Sequence, residues 1–424
     1  MPLPDNQRDM IVGTADCGIR YAVRRSTSSV GYCALSIKCG TRDEEGFHSG
    51  IAHFAEHTIF KGTDRRSASV INSYLDRLGG ELNAFTTKEE IVFHATVLKE
   101  DLGRAASLLF ELATSPSFPE NELEKEKCVV IDEINSYKDS PSEDIYDKFE
   151  ELLFKGHPLS KPILGTAASV KKITRDELVK FVKEKFIPGK MAFTVVADID
   201  EQRMEKEVLK LAGKYFKDIR SGSEETGGAG KQDREVFGGT DQFDKTANKR
   251  NHQANCILGS LAPSLYMHRE RLATVLLCNI LGGPASNSIL NSVLREKNGW
   301  VYGVECTYTQ YADTGIAAIS IGCDKDNLER CIREVEKELD KIKAEPLSDR
   351  KLRAAKKQLL GQIAISSDNG ETQCLSMGKG LMDYGRVTDD ARTKELVEGI
   401  TAEDVREMAC RIFDRDRMSR LIYI

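Results

Sequence analysis

The sequence predicts an α+β fold of two homologous domains, each a mainly antiparallel β-sheet packed with α-helices. Three observations lead to this expectation. A chain of 424 residues is long enough for two or three domains. A segment rich in Gly and Ser interrupts it near the middle, and the signals for strands and helices recur in the same order on either side. We therefore predict domains at 1–220 and 251–424, joined by an extended linker at 221–250.

The strand and helix signals come in the same order in both halves. In each half an apolar strand precedes an amphipathic helix, then a proline, then a second long helix. The second copy follows the first at a nearly constant offset, which pairs Pro119 with Pro346. The expected elements are a strand over Ile91–Val97, helices starting at Asp101 and Glu120, a strand over Ile316–Ile321, and helices starting at Asn327 and near Leu352. Near the N-terminus, Ile19–Arg24 and Gly31–Lys38 are expected to be paired strands.

Charge and composition exclude several classes of protein. The 61 Lys and Arg residues against 67 Asp and Glu residues give a net charge of −6, so we expect no nucleic-acid partner. No apolar run approaches the ~18 residues of a membrane span, and we expect no membrane partner. Eleven cysteines without a C-x-x-C pair are typical of buried thiols in a reducing compartment. The expected location is cytoplasmic, unless a signal peptide has been removed from the sequence.

The most informative motif is His-x-x-Glu-His, which spans His53 to His57. Residues four apart share one face of a helix, so both imidazoles can bind the same ion. The carboxylate of Glu56 comes close to that ion without having to bind it. Catalytic zinc takes such neutral nitrogens, a further ligand and a water molecule, and a neighbouring carboxylate can take a proton from that water. The alternative is a helix with two structural histidines and a surface glutamate.

A third ligand is expected from the long helix over 120–138. Glu133 lies within the apolar run Val129–Asn135, and Glu126 precedes it by seven residues, which is two turns along the same face. Glu126 could hold a ligand or the water by a hydrogen bond. The alternative is that these acids belong to a solvated, salt-bridged helix face, as the neighbouring Glu and Lys residues suggest.

These segments resemble the pitrilysin (M16) zinc metallopeptidases, and the short two-domain, processing-peptidase-like bacterial members in particular. The resemblance rests on Gly40-Thr-Arg-Asp-Glu, on His53-Phe-Ala-Glu-His57 with Phe60-Lys-Gly-Thr63, and on a Glu-x-x-x-x-x-x-Glu that ends at Glu133, well downstream of His57. It covers about residues 15–420. It implies Zn²⁺ on His53, His57 and Glu133, with Glu56 as general base and Glu126 in support.

The resemblance also implies substrate-binding residues in both halves. Leu78-Gly-Gly-Glu-Leu-Asn-Ala-Phe-Thr86 is similar to the family's edge strand beside the zinc, where Asn83 and Ala84 would bind the main chain of a peptide. Arg295 and Tyr302, seven residues apart, are similar to the family's substrate contacts in the second domain. Without the resemblance, Arg295 would be a surface ion-pair residue and Tyr302 a core aromatic.

The second half contains no His-x-x-Glu-His, and Ala355 and Gln362 occupy the places of Glu126 and Glu133. Long family members form a closed chamber from four domains, so a two-domain chain is expected to be a homodimer in which Arg295 and Tyr302 act at the partner's site. The predicted function is a zinc-dependent endopeptidase that hydrolyses oligopeptides or unfolded segments. The alternatives are a non-catalytic scaffold subunit and a processing peptidase that removes targeting sequences with a distinct partner chain.

Overall fold

The computed structural model describes residues 10–217, 236–239, 241–249 and 252–424. The chain forms two compact units. Unit 1 comprises Met1–Ile134, Lys161–Lys231 and Ile365–Asp389, and unit 2 comprises Asn135–Ser160, Gln232–Ala364 and Asp390–Ile424. Each unit therefore draws on both halves of the sequence. The boundaries at 1–220 and 251–424 describe the two repeats of the sequence, and as domain boundaries they stay a prediction.

Unit 1 is built on a six-stranded sheet with the order β1-β2-β6-β3-β5-β4. All its strand pairings are antiparallel except that of β2 with β6. The strands are β1 (Met10–Thr14), β2 (Arg20–Arg25), β3 (Val30–Ile37), β4 (Glu81–Thr86), β5 (Ile91–Leu98) and β6 (Met191–Ala197). The helices assigned to this unit are α1 (Ile51–Ile59), α2 (Ala68–Asp76), α3 (Leu102–Thr114), most of α4 (Glu120–Asp139), α6 (Ala167–Val170), α7 (Arg175–Lys185), α8 (Glu201–Tyr215) and α12 (Gly370–Tyr384).

The expectation that the first two apolar segments pair with each other is wrong. β2 pairs with β1 on one side and with β6 on the other, so β6 lies between β2 and β3. Every residue of β6 is buried, which suits a central position in the sheet. A run of apolar residues marks a strand, but it carries no information on which partner a distant part of the chain will provide.

Unit 2 is built on a five-stranded sheet with the order β7-β11-β8-β10-β9. Its strands are β7 (Asp244–Ala247), β8 (Gln253–Ala262), β9 (Val301–Gln310), β10 (Gly315–Asp324) and β11 (Ser419–Tyr423). Its helices are α5 (Pro141–Leu153), α9 (His268–Gly282), α10 (Leu328–Ala344), most of α11 (Asp349–Ser367), α13 (Asp390–Glu398) and α14 (Ala402–Ile412). The antiparallel series β8-β10-β9 repeats the series β3-β5-β4 of unit 1. The predicted α+β fold with two mainly antiparallel sheets is confirmed.

The predicted linker is only partly described. Residues 221–235, 240 and 250 lie outside the described residues. Within the rest, β7 pairs in parallel with β11 and so belongs to the sheet of unit 2.

One helix of each repeat is assigned to the unit of the other repeat. α12 comes from the second half of the chain and covers β6 and β3 in unit 1, where Met377 and Leu381 are buried. α5 comes from the first half and packs on β8 and β11 in unit 2 through Ile145 and Phe149. The two helices start one repeat offset apart in the sequence, so they are equivalent elements of the two repeats. Each core is therefore completed by a helix from the other half of the sequence.

No helix in the described ranges is both long enough and apolar enough to span a membrane.

Candidate metal centre

Helix α1 carries His53, Glu56 and His57 on a short and largely buried segment. It begins after Gly50, whose φ of 90° favours glycine. A Cβ atom at this position would lie 2.6 Å from the carbonyl oxygen of Leu164, so a side chain does not fit. His53 and His57 are one helical turn apart, and their ring centroids are 4.5 Å apart. The spacing in the motif therefore places both imidazoles on one face, as the helical period requires.

Helix α4 carries Glu126 and Glu133 on one face. Leu123, Val130 and Ile134 are buried and anchor the helix in the core of unit 1. Glu126 is buried, and the side chain of Glu133 is 34% exposed. A separation of seven residues places the two carboxylates two turns apart along the helix, so both can be directed toward α1.

His53, His57 and Glu133 form a group whose potential ligand atoms all lie within 4.8 Å of one another. The Oε2 atom of Glu133 is 3.9 Å from His53 Nε2 and 3.6 Å from His57 Nε2. Ligand atoms bound tetrahedrally to one zinc ion at about 2.0–2.1 Å lie about 3.3 Å apart, so these side chains need only small movements. Two imidazoles and one carboxylate also match the donor set of several catalytic zinc sites. The residues therefore fit a bound metal ion.

His57 is held by Glu126, which is itself paired with Lys61. Its Nδ1 atom lies 3.0 Å from Glu126 Oε1, and Glu126 Oε2 lies 2.7 Å from the Nζ atom of Lys61. A carboxylate on Nδ1 directs Nε2 toward the metal and makes it a better ligand. Burial by itself lowers the pKa of His57, but the hydrogen bond to Glu126 and the nearby carboxylates outweigh it and raise the pKa. In the metal-free protein, protons therefore compete with a metal for His57.

His53 lies in a different environment. Burial, together with the charge of His57, lowers its pKa to about 3, so the ring is neutral at physiological pH, as a metal ligand must be. Within the described part of the chain, its Nδ1 atom is buried and has no hydrogen-bond partner. Metal-ligating histidines usually donate a hydrogen bond from this second nitrogen to a carboxylate or carbonyl. His57 follows that pattern and His53 does not. His57 is therefore held by a hydrogen bond, and His53 by burial.

Glu56 lies between the two histidines in the sequence, and a residue of the β-sheet holds its side chain. The hydroxyl of Thr86, at the end of β4, donates a hydrogen bond to Glu56 Oε2 over 2.5 Å. Burial raises the pKa of Glu56, against the lowering effects of the Thr86 hydrogen bond and of His57; the charge of Glu133 raises it further. A raised carboxyl pKa near a metal site suits a group that accepts and returns a proton.

Strand β4 forms one edge of the sheet of unit 1, and it pairs with β5 on its other side. Asn83 lies opposite His94 in this strand pair, and Ala84 lies opposite Phe93. An edge strand leaves backbone N–H and C=O groups that an extended peptide can pair with. The same strand ends at Thr86 and so leads directly to Glu56.

Arg295 and Tyr302 both belong to unit 2, whereas the metal-site residues belong to unit 1. Arg295 lies in a π-helix, Asn291–Lys297, and is exposed. π-Helical segments are rare and frequently occur at functional sites. Tyr302 is near the start of β9, an edge strand of its sheet. The residue is 58% exposed, and its hydroxyl donates to Asp324 Oδ1 at 2.7 Å. The prediction that both act on a substrate stays a prediction.

The equivalent position in unit 2 contains a neutral pair. Asn279 follows His53 by 226 residues and Gln362 follows Glu133 by 229, so both lie near the corresponding places of the second repeat. The amide of Asn279 donates to Gln362 Oε1 at 2.7 Å. Two amides that satisfy each other in this way are poor zinc ligands, so the repeat keeps the helix contact without the metal-binding chemistry.

Sequence reasoning assigned no role to three residues that the structure places beside the centre. Lys61 and Thr86 hold Glu126 and Glu56, as described above. Glu44 is fully buried, and its carboxylate accepts hydrogen bonds from the backbone N–H groups of residues 50 and 52 at the start of α1. All three residues lie in segments that carry the family resemblance. Their partners belong to other elements, and a contact between two elements leaves no periodic signal in the sequence.

Comparison with known proteins identifies the family. Residues 20–167 match the family described as Insulinase (Peptidase family M16), and residues 172–359 match the description Peptidase M16 inactive domain. The chain belongs to peptidase family M16. A relative from Rickettsia bellii, named an uncharacterized zinc protease, is 30% identical over 389 residues, covering 92% of this chain and 91% of its own. The uncharacterized zinc protease YmxG of Bacillus subtilis is 30% identical over 413 residues, covering 96% and 97%.

Solved structures share the fold of this M16 chain. A protease from Helicobacter pylori superimposes with a TM-score of 0.86 at 19% identity, covering 98% of this chain and 99% of the other. A peptidase M16 inactive domain from Pseudomonas fluorescens gives a TM-score of 0.86 at 18% identity, covering 98% and 97%. The two-unit architecture is therefore that of M16 proteins.

Proposed function

We propose that this M16 chain is a zinc-dependent endopeptidase. The observation that carries the proposal is the convergence of His53 Nε2, His57 Nε2 and Glu133 Oε2, with the Glu56 carboxylate held on the same helix as the histidines. Relatives named zinc proteases that cover more than nine tenths of the chain support the same metal and the same class of reaction. The match of residues 172–359 to a domain described as inactive supports a second half without a metal centre of its own.

His53, His57 and Glu133 would hold the zinc ion, which when bound supplies a Lewis acid for the peptide carbonyl and makes a water molecule more acidic. Glu56 accepts a proton from the attacking water and returns it to the amine that leaves when the C–N bond breaks. Glu126 holds His57 through Nδ1, and Lys61 neutralises Glu126 in turn. The chain therefore supplies ligands, their orientation and a proton carrier.

The proposed substrates are oligopeptides and unfolded segments in extended conformation. The edge of β4, with Asn83 and Ala84, would add a substrate strand by main-chain hydrogen bonds, which depend little on side-chain identity. Such binding gives broad sequence tolerance and excludes folded proteins, since their backbones are already paired.

The proposed assembly is a homodimer that encloses the site. Arg295 of one chain would bind a substrate carbonyl near the metal of the other, and Tyr302 would donate to the oxyanion that forms there. For this donation, the Tyr302 hydroxyl must leave Asp324 Oδ1, to which it is bonded in the structure. Two chains of two domains each would provide the enclosed volume that limits access.

The experiment that tests the function combines metal analysis with digestion of a mixed peptide set. Purified protein should contain about one zinc per chain, since one three-ligand site is present among the described residues. It should cleave unstructured peptides and lose that activity on treatment with a chelator. Activity that the chelator leaves intact would refute the assignment as a metallopeptidase.

The mass measured by size exclusion distinguishes between the proposed assemblies. An active homodimer supports the proposal, and activity that requires a second, different chain supports a processing peptidase. A zinc-loaded dimer without activity would be a scaffold.

A further inference from the structure

We infer that Thr86 is a positioning residue that fixes the Glu56 carboxylate for proton transfer. The inference rests on the proposed peptidase function and adds a residue to which sequence and family comparison gave no role. Thr86 does not touch the substrate in this proposal. It acts through Glu56, by holding one carboxylate oxygen so that the other is free to face the reacting water.

The geometry leaves one oxygen of the base available. Thr86 Oγ1 donates to Glu56 Oε2 over 2.5 Å. Among the described residues, no other hydrogen bond reaches the Glu56 side chain, so Oε1 stays free to accept a proton. A general base needs a fixed position within hydrogen-bond reach of the proton that it removes. A glutamate side chain has several rotatable bonds, and a single strong anchor removes much of that freedom.

Thr86 is itself rigid. It is β-branched, which restricts its χ1 angle, and it is the last residue of β4, where it pairs with Ile91 of β5. Ile91 is fully buried in the core of unit 1. The sheet therefore fixes the Thr86 hydroxyl, and through this hydroxyl it determines where the Glu56 carboxylate on α1 points.

The same strand carries the proposed substrate contacts. Asn83 and Ala84 precede Thr86 by three and two residues on β4. One strand would therefore set both the position of the substrate main chain and the orientation of the base. This arrangement ties the distance between scissile bond and base to the covalent geometry of a strand, whose rise is about 3.3 Å per residue.

The test uses three variants in the full-length, zinc-loaded protein. Thr86→Val removes the hydroxyl and keeps the volume and the branching, whereas Thr86→Ser keeps the hydroxyl. Thr96→Val is the matched control, since Thr96 lies on neighbouring β5, where it pairs with Glu81. For Thr86→Val we expect kcat on an unstructured peptide to fall about 10- to 100-fold, the cost of a misplaced catalytic group. KM should change less than about 2-fold, and Thr86→Ser should recover most of kcat.

Four further measurements exclude a merely structural role. Zinc affinity and thermal unfolding of Thr86→Val should match those of wild type. Thr86→Val should cause no further loss in a Glu56→Gln background, because the group that it positions is already absent. In crystals of the zinc-free protein, the Glu56 carboxylate should hold one orientation in wild type and Thr86→Ser, and several in Thr86→Val.

Two outcomes would overturn the inference while the proposed function stands: full kcat in Thr86→Val, or an equal loss in the Glu56→Gln background. If Thr86→Val does not fold, Thr86→Ala takes its place and must give the same results. Wild-type protein that carries zinc but cleaves no peptide would instead refute the proposed function. In that case the carboxylate orientations in the zinc-free crystals still decide whether Thr86 positions Glu56.

Discussion

The Nζ atom of Lys61 lies 2.7 Å from Oε2 of Glu126, whose other oxygen holds Nδ1 of His57. Lys61 follows α1 in the chain and Glu126 belongs to α4, so the ion pair links the two helices that carry the proposed metal ligands. The three residues form a continuous series of charged and polar contacts that ends at an imidazole proposed to bind the metal.

Lys61→Met should weaken metal binding, because Glu126 loses the partner that orients it toward His57. We expect zinc affinity, measured by competition with a chromophoric chelator, to fall about 10-fold, within the range for residues that support metal ligands. Lys125→Met is the control, since Lys125 pairs with Glu122 on the exposed side of the same helix α4. Equal affinities in wild type and Lys61→Met would show that this ion pair has no part in metal binding.

Glu56 and Glu133 should separate catalysis from metal binding. Glu56→Gln keeps the shape of the side chain and removes the base, so zinc content should stay at wild-type level while kcat falls about 100- to 10,000-fold. Glu133→Ala removes a ligand, and zinc affinity should fall by more than about 100-fold, beyond the effect of supporting residues. Glu124→Ala is the control, because Glu124 is exposed on the same helix. Full peptide cleavage by Glu56→Gln would disprove its role as base.

A mixing experiment tests the proposed exchange of residues between chains. Glu56→Gln and Tyr302→Phe should each be poorly active alone. When the two are co-expressed, half of the dimers are mixed and each mixed dimer has one complete site, so about a quarter of wild-type activity should return. Thr307→Val, on the same strand β9, is the control partner for Tyr302→Phe. If activity at equal total protein stays at the mean of the two separate variants, Tyr302 acts within its own chain or not at all.

Glu44 should make stability depend on pH. Burial raises its pKa from 4.5 to about 7, although the N–H groups of Ala52 and Gly50 oppose the shift. Below pH 4.5 the Glu44 carboxyl is protonated in both the folded and unfolded states, so its contribution to the free energy of unfolding is fully present. As pH rises toward 7, the unfolded state loses the proton first, and the free energy of unfolding falls by about 3 kcal/mol.

The Glu44 effect is measured by chemical denaturation of the metal-free protein at several pH values. Glu44→Gln should lack this pH-dependent component, and Glu45→Gln, at an exposed neighbouring position, should retain it. Identical pH profiles for Glu44→Gln and wild type would mean that Glu44 keeps an ordinary pKa in the folded protein.

Local periodicity predicted much of the fold and of the candidate site. The strands at 91–98 and 315–324 and the helices at 102, 120 and 328 begin within a residue or two of the expected positions. The helical spacing of His53 and His57 placed both rings on one face, and the seven-residue spacing did the same for Glu126 and Glu133. These features depend on neighbours a few residues apart, so the sequence encodes them directly.

The tertiary structure decided what depends on distant parts of the chain. It inserted β6 between β2 and β3, and it assigned α5 and α12 to the units of the opposite repeats. It also brought Thr86 to Glu56 and Lys61 to Glu126.

The sequence by itself therefore determined which side chains can bind a metal and move a proton, because residue type and helical spacing are local properties. Only the tertiary structure decided how those side chains are held. A hydrogen bond between two elements requires both to be in place, and strand order and packing settle that for the whole unit at once.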